Sequence, residues 1–394
     1  MNGSEISSRF VTGLRANIAY WQQKTAQLTD TQIPALNPDF PNLLRAVQMG
    51  TMHPATQVET AELIYQAFFW VEQAGHWDSW LPIIDRLVPM LDDDFLRCRL
   101  YKQQGQLYRS AGQFHAAIPV LMKSADLAGQ LNDDVALAEA KTHLCSIYLN
   151  QRAYAKAESL GREALQLLTR RPGAERPLTA VLTNLGLIAL AQGQLEQAET
   201  QLTEAAAIGK KAQPPTQMAR ILNSLAIVYH RRDKLKASQQ TYEEAIAIIE
   251  QTANRTDKVH LQLSLGALFV DMNRLDEAEA LFLQAEKSLN GIPGHLPFRA
   301  MIANNLGNVL LEKKQPAAAE HYLQRSVELR RRLNIRLPLA NSYISWGKAL
   351  HQLGRTNEAL AAVDAAQQIL PEFPDDAWAK TLAQECVTLR DAIS

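Results

Sequence analysis

Small and bulky positions recur along this chain on a beat of forty residues. "LTNLGLIALAQGQLEQAETQLTEAAAIG" (182–209), "LNSLAIVYHRRDKLKASQQTYEEAIAII" (222–249) and "ANNLGNVLLEKKQPAAAEHYLQRSVELR" (303–330) are variants of one phrase. Aligned on the small residue of the first half, the phrase occurs at Gly105, Cys145, Gly186, Ala226, Gly266, Gly307 and Gly347, in steps of 40, 41, 40, 40, 41 and 40 residues. Twelve positions later comes another small residue (Ala117, Ala157, Ala198, Ser238, Ala278, Ala319, Ala359). Sixteen later comes a larger apolar one (Leu121, Leu202, Tyr242, Phe282, Leu323, Val363), with Gly161 as the exception. Residues three and four apart share a helix face. The pattern therefore predicts helical hairpins, with small residues where two axes cross and larger ones filling the grooves beside them. Between the two helices, turns such as "SAGQF", "AQGQL" and "DMNRL" place Gly or Asn where a left-handed helix end is required. Proline-containing breaks such as "AQPPTQ" and "NIRLPL" separate one unit from the next.

Such a beat over seven units is the signature of a repeat array. The expected fold class is all-α, a right-handed α-solenoid of stacked antiparallel hairpins. The front of the chain is less regular. A helix is predicted at about 5–28, then a linker "TDTQIPALNPDFP", then a short helix at about 41–49. "AGHWDSWLPIIDRLVPML" aligns with "AGQFHAAIPVLMKSADL" at an offset of 37, so a degenerate hairpin is expected, with Trp80 in place of the small alanine. The predicted organisation is a helical cap (1–58), a degenerate hairpin (59–96), seven units (97–371) and a capping helix (372–394), with "DDAW" at Asp375–Asp376 capping that helix.

The order small, aromatic, small, apolar, small resembles the tetratricopeptide repeat (TPR) over roughly 97–371. The 40-residue period, and "NNLG" (304–307) and "TNLG" (183–186), resemble the kinesin-light-chain-like and bacterial-regulator branches, whose helices are longer. A further resemblance rests on Asn42, Leu43, Arg45, Ala46, Trp70, Gly75, Trp77 and Trp80. These look like the segment joining the ATPase part of STAND-type regulators to a TPR sensor. The phosphate-binding G-x-x-x-x-G-K-[ST] of such an ATPase does not occur in this sequence. The resemblance implies a sensor or adaptor module.

Composition narrows the partners. With 40 basic and 41 acidic residues the formal charge is −1, which disfavours nucleic acid or a membrane surface as partner. Cys98, Cys145 and Cys386 are far apart, which fits reduced thiols and a cytoplasmic protein without a signal peptide. There is no H-E-x-x-H, G-x-S-x-G, C-x-x-C or G-x-G-x-x-G, and the nine histidines are scattered. No catalytic residue, cofactor or metal is expected.

The resemblance places partner contacts at fixed positions of each opening helix: about six and three before the small residue, one after it, and four or five after it. In this sequence those are Arg99, Lys102, Gln106 and Arg109; Arg220, Asn223, His230 and Arg231; Asn304 and Asn308; and Asn341, Lys348 and His351. Asn can donate to and accept from a peptide backbone, and Arg or Lys can pair with carboxylates. Lys102 and Gln106 copy the spacing of the family's carboxylate clamp with Gln in place of Asn, so a clamp for a chaperone tail is disfavoured. The basic run 325–336 reads first as a charged helix end and second as a contact for an acidic partner. The expected function is a non-enzymatic adaptor or sensor holding a protein or peptide segment on a concave face. The alternative is a regulatory subunit of a bacterial signalling or defence assembly acting on a separate effector. Trp70, Trp77 and Trp80 suggest self-association through an exposed apolar surface near the N-terminal end.

Overall fold

Every unit of the array opens with a helix of 17 residues, and the proline breaks and polar caps set its limits. The structure, a computed structural model, describes residues 3–26, 37–169, 171–252, 254–289, 295–374 and 376–393. Among them are 19 α-helices and no strand. The front holds α1 (Gly3–Ala26), α2 (Phe40–Met52), α3 (Gln57–Ala74) and α4 (Trp77–Leu87). Hairpins follow: α5/α6 (Asp94–Ser110, Phe114–Gln130), α7/α8 (Asp134–Asn150, Tyr154–Leu168) and α9/α10 (Glu175–Ala191, Leu195–Ala212). Then come α11/α12 (Pro215–Arg231, Leu235–Ile249), α13/α14 (Arg255–Asp271, Leu275–Ser288), α15/α16 (Leu296–Glu312, Pro316–Arg332), α17/α18 (Arg336–Gln352, Thr356–Ile369) and the last helix α19 (Ala377–Ile393). The chain divides into two compact units, Met1–Pro214 and Pro215–Ser394. The first holds α1–α10 and the second α11–α19, and each is a stack of hairpins. Most of the linker expected at 29–41 lies outside the described residues, as does Asp375 of the expected cap.

Helix starts are fixed locally. Asp93 and Asp133 accept from the amides of Leu96 and Ala136, at 3.1 and 3.0 Å, and Asp376 accepts from Trp378 and Ala379 at the head of α19. Each such bond satisfies an amide that the helix itself leaves unpaired. Helix ends within the hairpins are fixed by one recurring position, seven after the small residue. Gly112, Arg152, Gly193, Asp233, Asn273, Lys314 and Gly354 all take positive φ, between 57° and 76°. The following amide then bonds back around the end of the helix, as Gln113 N does to Tyr108 O at 2.8 Å. Gly and Asn suit this geometry, but Arg152, Asp233 and Lys314 hold it against the clash of Cβ with the carbonyl. Lys314→Gly is therefore expected to stabilise the protein by about 0.5–1 kcal/mol. Thermal unfolding by far-UV circular dichroism checks this, and an unchanged or lower midpoint would contradict it.

The crossings explain the glycines and their exception. A Cβ on Gly186 would lie 2.6 Å from Leu202 Cγ, so two neighbouring helices meet there with no room for a methyl group. In the second repeat the crossing is filled differently. Cys145 stands at the small position and Gly161 at the large one, with Leu185 of the next repeat against Gly161. The pair is smaller than in the other repeats, and Leu185 fills the space that the missing side chain at Gly161 leaves, as a close-packed crossing demands.

At the front, Trp70 and Trp80 are wholly buried, with Trp21 and Phe40 packed against them. Trp77 is half-buried and its Nε1 donates to Glu72 O at 3.1 Å. Two of the three tryptophans expected to form an exposed surface are thus covered. Rings of α1 and α2 pack over Trp70 and Trp80 and take those two side chains out of solvent.

Candidate interaction face of the opening helices

The positions singled out on the opening helices fall into three groups. Several of the cations are already neutralised by an acid of a neighbouring helix in the same unit. Lys102 Nζ meets Glu139 Oε2 at 2.5 Å, Arg220 Nε meets Asp257 Oδ2 at 2.8 Å, and Lys348 Nζ meets Glu385 Oε2 at 2.8 Å. His230 Nε2 lies 2.8 Å from Asp271 Oδ2. Arg99 instead lies over the rings of Phe95 and Tyr65, at 4.0 and 4.9 Å. Beside Arg109 and Lys102, burial and these two cations hold His143 neutral, down to about 3.

A second group is internal. Asn304, expected to reach a partner, is 3% exposed. Its Oδ1 accepts from Ser342 Oγ at 3.0 Å and from Arg330 Nη1 at 3.3 Å. Arg330 also donates to Pro338 O at 2.5 Å and to Ser342 Oγ at 2.7 Å. The carboxamide is spent on joining α15 to α16 and α17, because a buried guanidinium must find acceptors. Three more arginines of the basic run are likewise engaged within the protein: Arg325 with Glu286, Arg331 with the Tyr343 hydroxyl, and Arg336 with Glu372.

The third group can meet a ligand. Arg220 and Asn223 line one recess of about 310 Å³ with Ala219, Asp257, His260 and Leu261. Arg231 is exposed at the end of α11, and Asn308, Asn341 and His351 are half-buried on α15 and α17. None of these four lines the recess. In it, Asp257 accepts both Arg220 Nε and Asn254 Nδ2, the latter at 3.0 Å, so the guanidinium is held from one side. Asn223 Oδ1 is buried and has no hydrogen-bond partner among the described residues. A buried acceptor without a donor forfeits about 1–3 kcal/mol, which a ligand N–H can restore.

Residues 147–292 match the model of the MalT-like TPR region, and 298–372 match a tetratricopeptide repeat model. The chain carries tetratricopeptide repeats. By sequence it is similar to the type IV pilus assembly protein PilF of Pseudomonas aeruginosa, 29% identical over 147 residues, which are 37% of this chain and 52% of PilF. The match thus spans about half the length of that relative. By structure it is similar to a signal-transduction ATPase with numerous domains, carrying a tetratricopeptide repeat sensor, from Pyrococcus horikoshii. There the TM-score is 0.66 at 12% identity, over 93% of this chain and 56% of that one. It is also similar to a Rap protein solved in complex with competence and sporulation factor, with TM-score 0.53 at 15% identity, over 87% of this chain and 99% of that one. At these identities the likeness is one of fold.

Knowing the repeat makes the missed residues legible. Asp257, Glu139 and Glu385 each follow their cation by 37 residues, one repeat less one helical turn. An acid at that distance from a base on a tetratricopeptide-repeat opening helix lands beside it on the neighbouring helix. His260 occupies in its repeat the place that Arg220 occupies in the one before. Neither signal is visible when one repeat is read alone. The recess thus gathers donors, acceptors and the apolar side chains of Ala219 and Leu261. Among the described residues no group of three His, Cys, Asp or Glu is placed to hold a metal, and no helix is long and apolar enough to cross a membrane.

Proposed function

We propose that this chain is a non-enzymatic interaction module that receives a protein or peptide segment at the recess of Arg220, Asn223, Asp257 and His260. The observation that carries the reading is the buried Asn223 Oδ1 without a donor, set beside a guanidinium that Asp257 holds in place. A peptide offers both complements, an amide N–H for the carboxamide and carboxylate or carbonyl oxygens for the arginine. The floor of Ala219 and Leu261 takes a small apolar side chain. The reading is supported by the likeness in fold to a Rap protein that was solved in complex with competence and sporulation factor.

The test begins with peptides selected by display against the whole chain. Their affinities for the wild type and for Asn223→Leu are then compared. Asn223→Leu removes both hydrogen-bonding atoms at similar volume. It is expected to lower affinity by about tenfold or more, since a peptide amide would then be buried without its acceptor. Equal affinity for the variant, or a failure to select any peptide, counts against the recess. A second reading, a sensor regulating a separate effector, is favoured by the similarity to the sensor-bearing ATPase. Co-purification from the native host checks it: one dominant enzyme is the expected result, and none argues against it.

A further inference from the structure

The first unit carries a groove that plays no part in the recess. It lies between α2 and α4, encloses about 500 Å³, and is lined by Leu44, Gln48, Thr51 and Met52 on one side and Asp78, Ser79, Pro82, Ile83 and Arg86 on the other. Met52, on its rim, is 69% exposed. Gln57 Nε2 donates to Thr51 O at 3.3 Å and reaches Met90 Sδ at 3.4 Å, which brings a second exposed methionine to the same edge. Methionine is flexible and polarizable, and it adapts to incoming apolar surfaces. Two such side chains at the edge of the groove give an incoming side chain an adaptable surface to pack on.

The charges say what fits. Several lysines and arginines of the molecule are tied to acids of neighbouring helices. Along this groove Asp78 and Arg86 have no charge or hydrogen-bond partner among the described residues. They stand in the first and last turns of α4, eight residues apart. Two helical turns separate them, about 12 Å at 1.5 Å per residue. A cleft between two helices can be filled by a third helix packing ridges into grooves. We infer that this groove docks an amphipathic helix of a partner protein, antiparallel to α4. An acid in the first turn of that helix meets Arg86, and a base two turns later meets Asp78. Leucine-like side chains between them enter the floor of Leu44, Pro82 and Ile83. In this orientation the two helix dipoles also oppose.

The probe is a synthetic four-turn peptide, acetylated and amidated. It carries Leu on one face, Glu in the first turn and Lys two turns on. Its control is the isomer with Glu and Lys exchanged. Binding to the full chain is read by fluorescence anisotropy. The wild type is expected to prefer the first peptide by about fivefold or more, since charge order selects register and orientation. The double variant Asp78→Lys, Arg86→Asp is expected to prefer the isomer, and Met52→Asp to weaken both peptides. Far-UV circular dichroism verifies that each variant is folded. If the double variant does not fold, the wild-type preference and the Met52→Asp loss still decide. Equal affinity of the wild type for both peptides, no saturable binding, or a preference that survives the charge exchange would overturn the inference.

Discussion

Gly307→Trp is expected to unfold the second unit, while Gly347→Ala at the same repeat position is expected to be tolerated. A Cβ on Gly307 would fall inside the side chain of Leu323, 2.6 Å from Cδ2 and nearer still to Cγ. Leu323 is wholly buried at the α15/α16 crossing and cannot swing into solvent. Overpacking of this kind costs about 1–3 kcal/mol for a small addition, so Gly307→Ala should lower the denaturation midpoint measurably and the indole should lower it far more. At Gly347 a Cβ would meet Ala359 O at 3.4 Å, Leu389 Cδ2 at 3.4 Å and Val363 Cγ2 at 3.5 Å, which are ordinary contacts. There the methyl relieves the helix of a glycine, worth up to about 1 kcal/mol. Denaturant melts of the three variants check the pair. If Gly307→Ala melts with the wild type, the crossing is not packed as described.

Arg330→Ala is expected to destabilise the protein by about 2–4 kcal/mol, and Arg330→Met by much less. The guanidinium is 6% exposed, and every acceptor it meets, Asn304 Oδ1, Pro338 O and Ser342 Oγ, is neutral. Burial without a carboxylate lowers its pKa to about 10, so it remains charged at neutral pH. Alanine would remove the donor from Pro338 O, leave a cavity, and loosen the tie between the sixth and seventh repeats. Methionine fills the volume of the stem and removes the cost of burying a charge. Urea melts distinguish the two. An Arg330→Ala variant within about 0.5 kcal/mol of wild type would mean that the network contributes nothing.

The periodicity was legible because it is local. A helix crossing needs small residues at set intervals, and those intervals are written along the chain whatever the partner helix is. The left-handed helix ends were legible at Gly112, Gly193, Asn273 and Gly354, where the residue type matches the conformation. They were not legible at Arg152, Asp233 and Lys314, where the surrounding hairpin imposes it. The fate of the aromatic front could not be read either. Trp70 and Trp80 look like surface when α3 and α4 are considered alone, and only the folding of α1 and α2 over them takes them inside.

The interaction face divides in the same way. The sequence by itself determined that the chain is a series of helical hairpins, and that Arg220, Asn223, Asn304 and Lys348 stand at equivalent kinds of position on opening helices. Side-chain type and helical phase suffice for that. Only the tertiary structure decided that Asn304 turns inward to a buried arginine, that Lys102, Arg220 and Lys348 are met by acids one repeat away, and that Asn223 is left with an unmet acceptor. The reason is physical. Burial and pairing depend on which atoms of a second helix come within about 3 Å, and that distance is set by the packing of neighbouring repeats, where no single stretch of sequence records it.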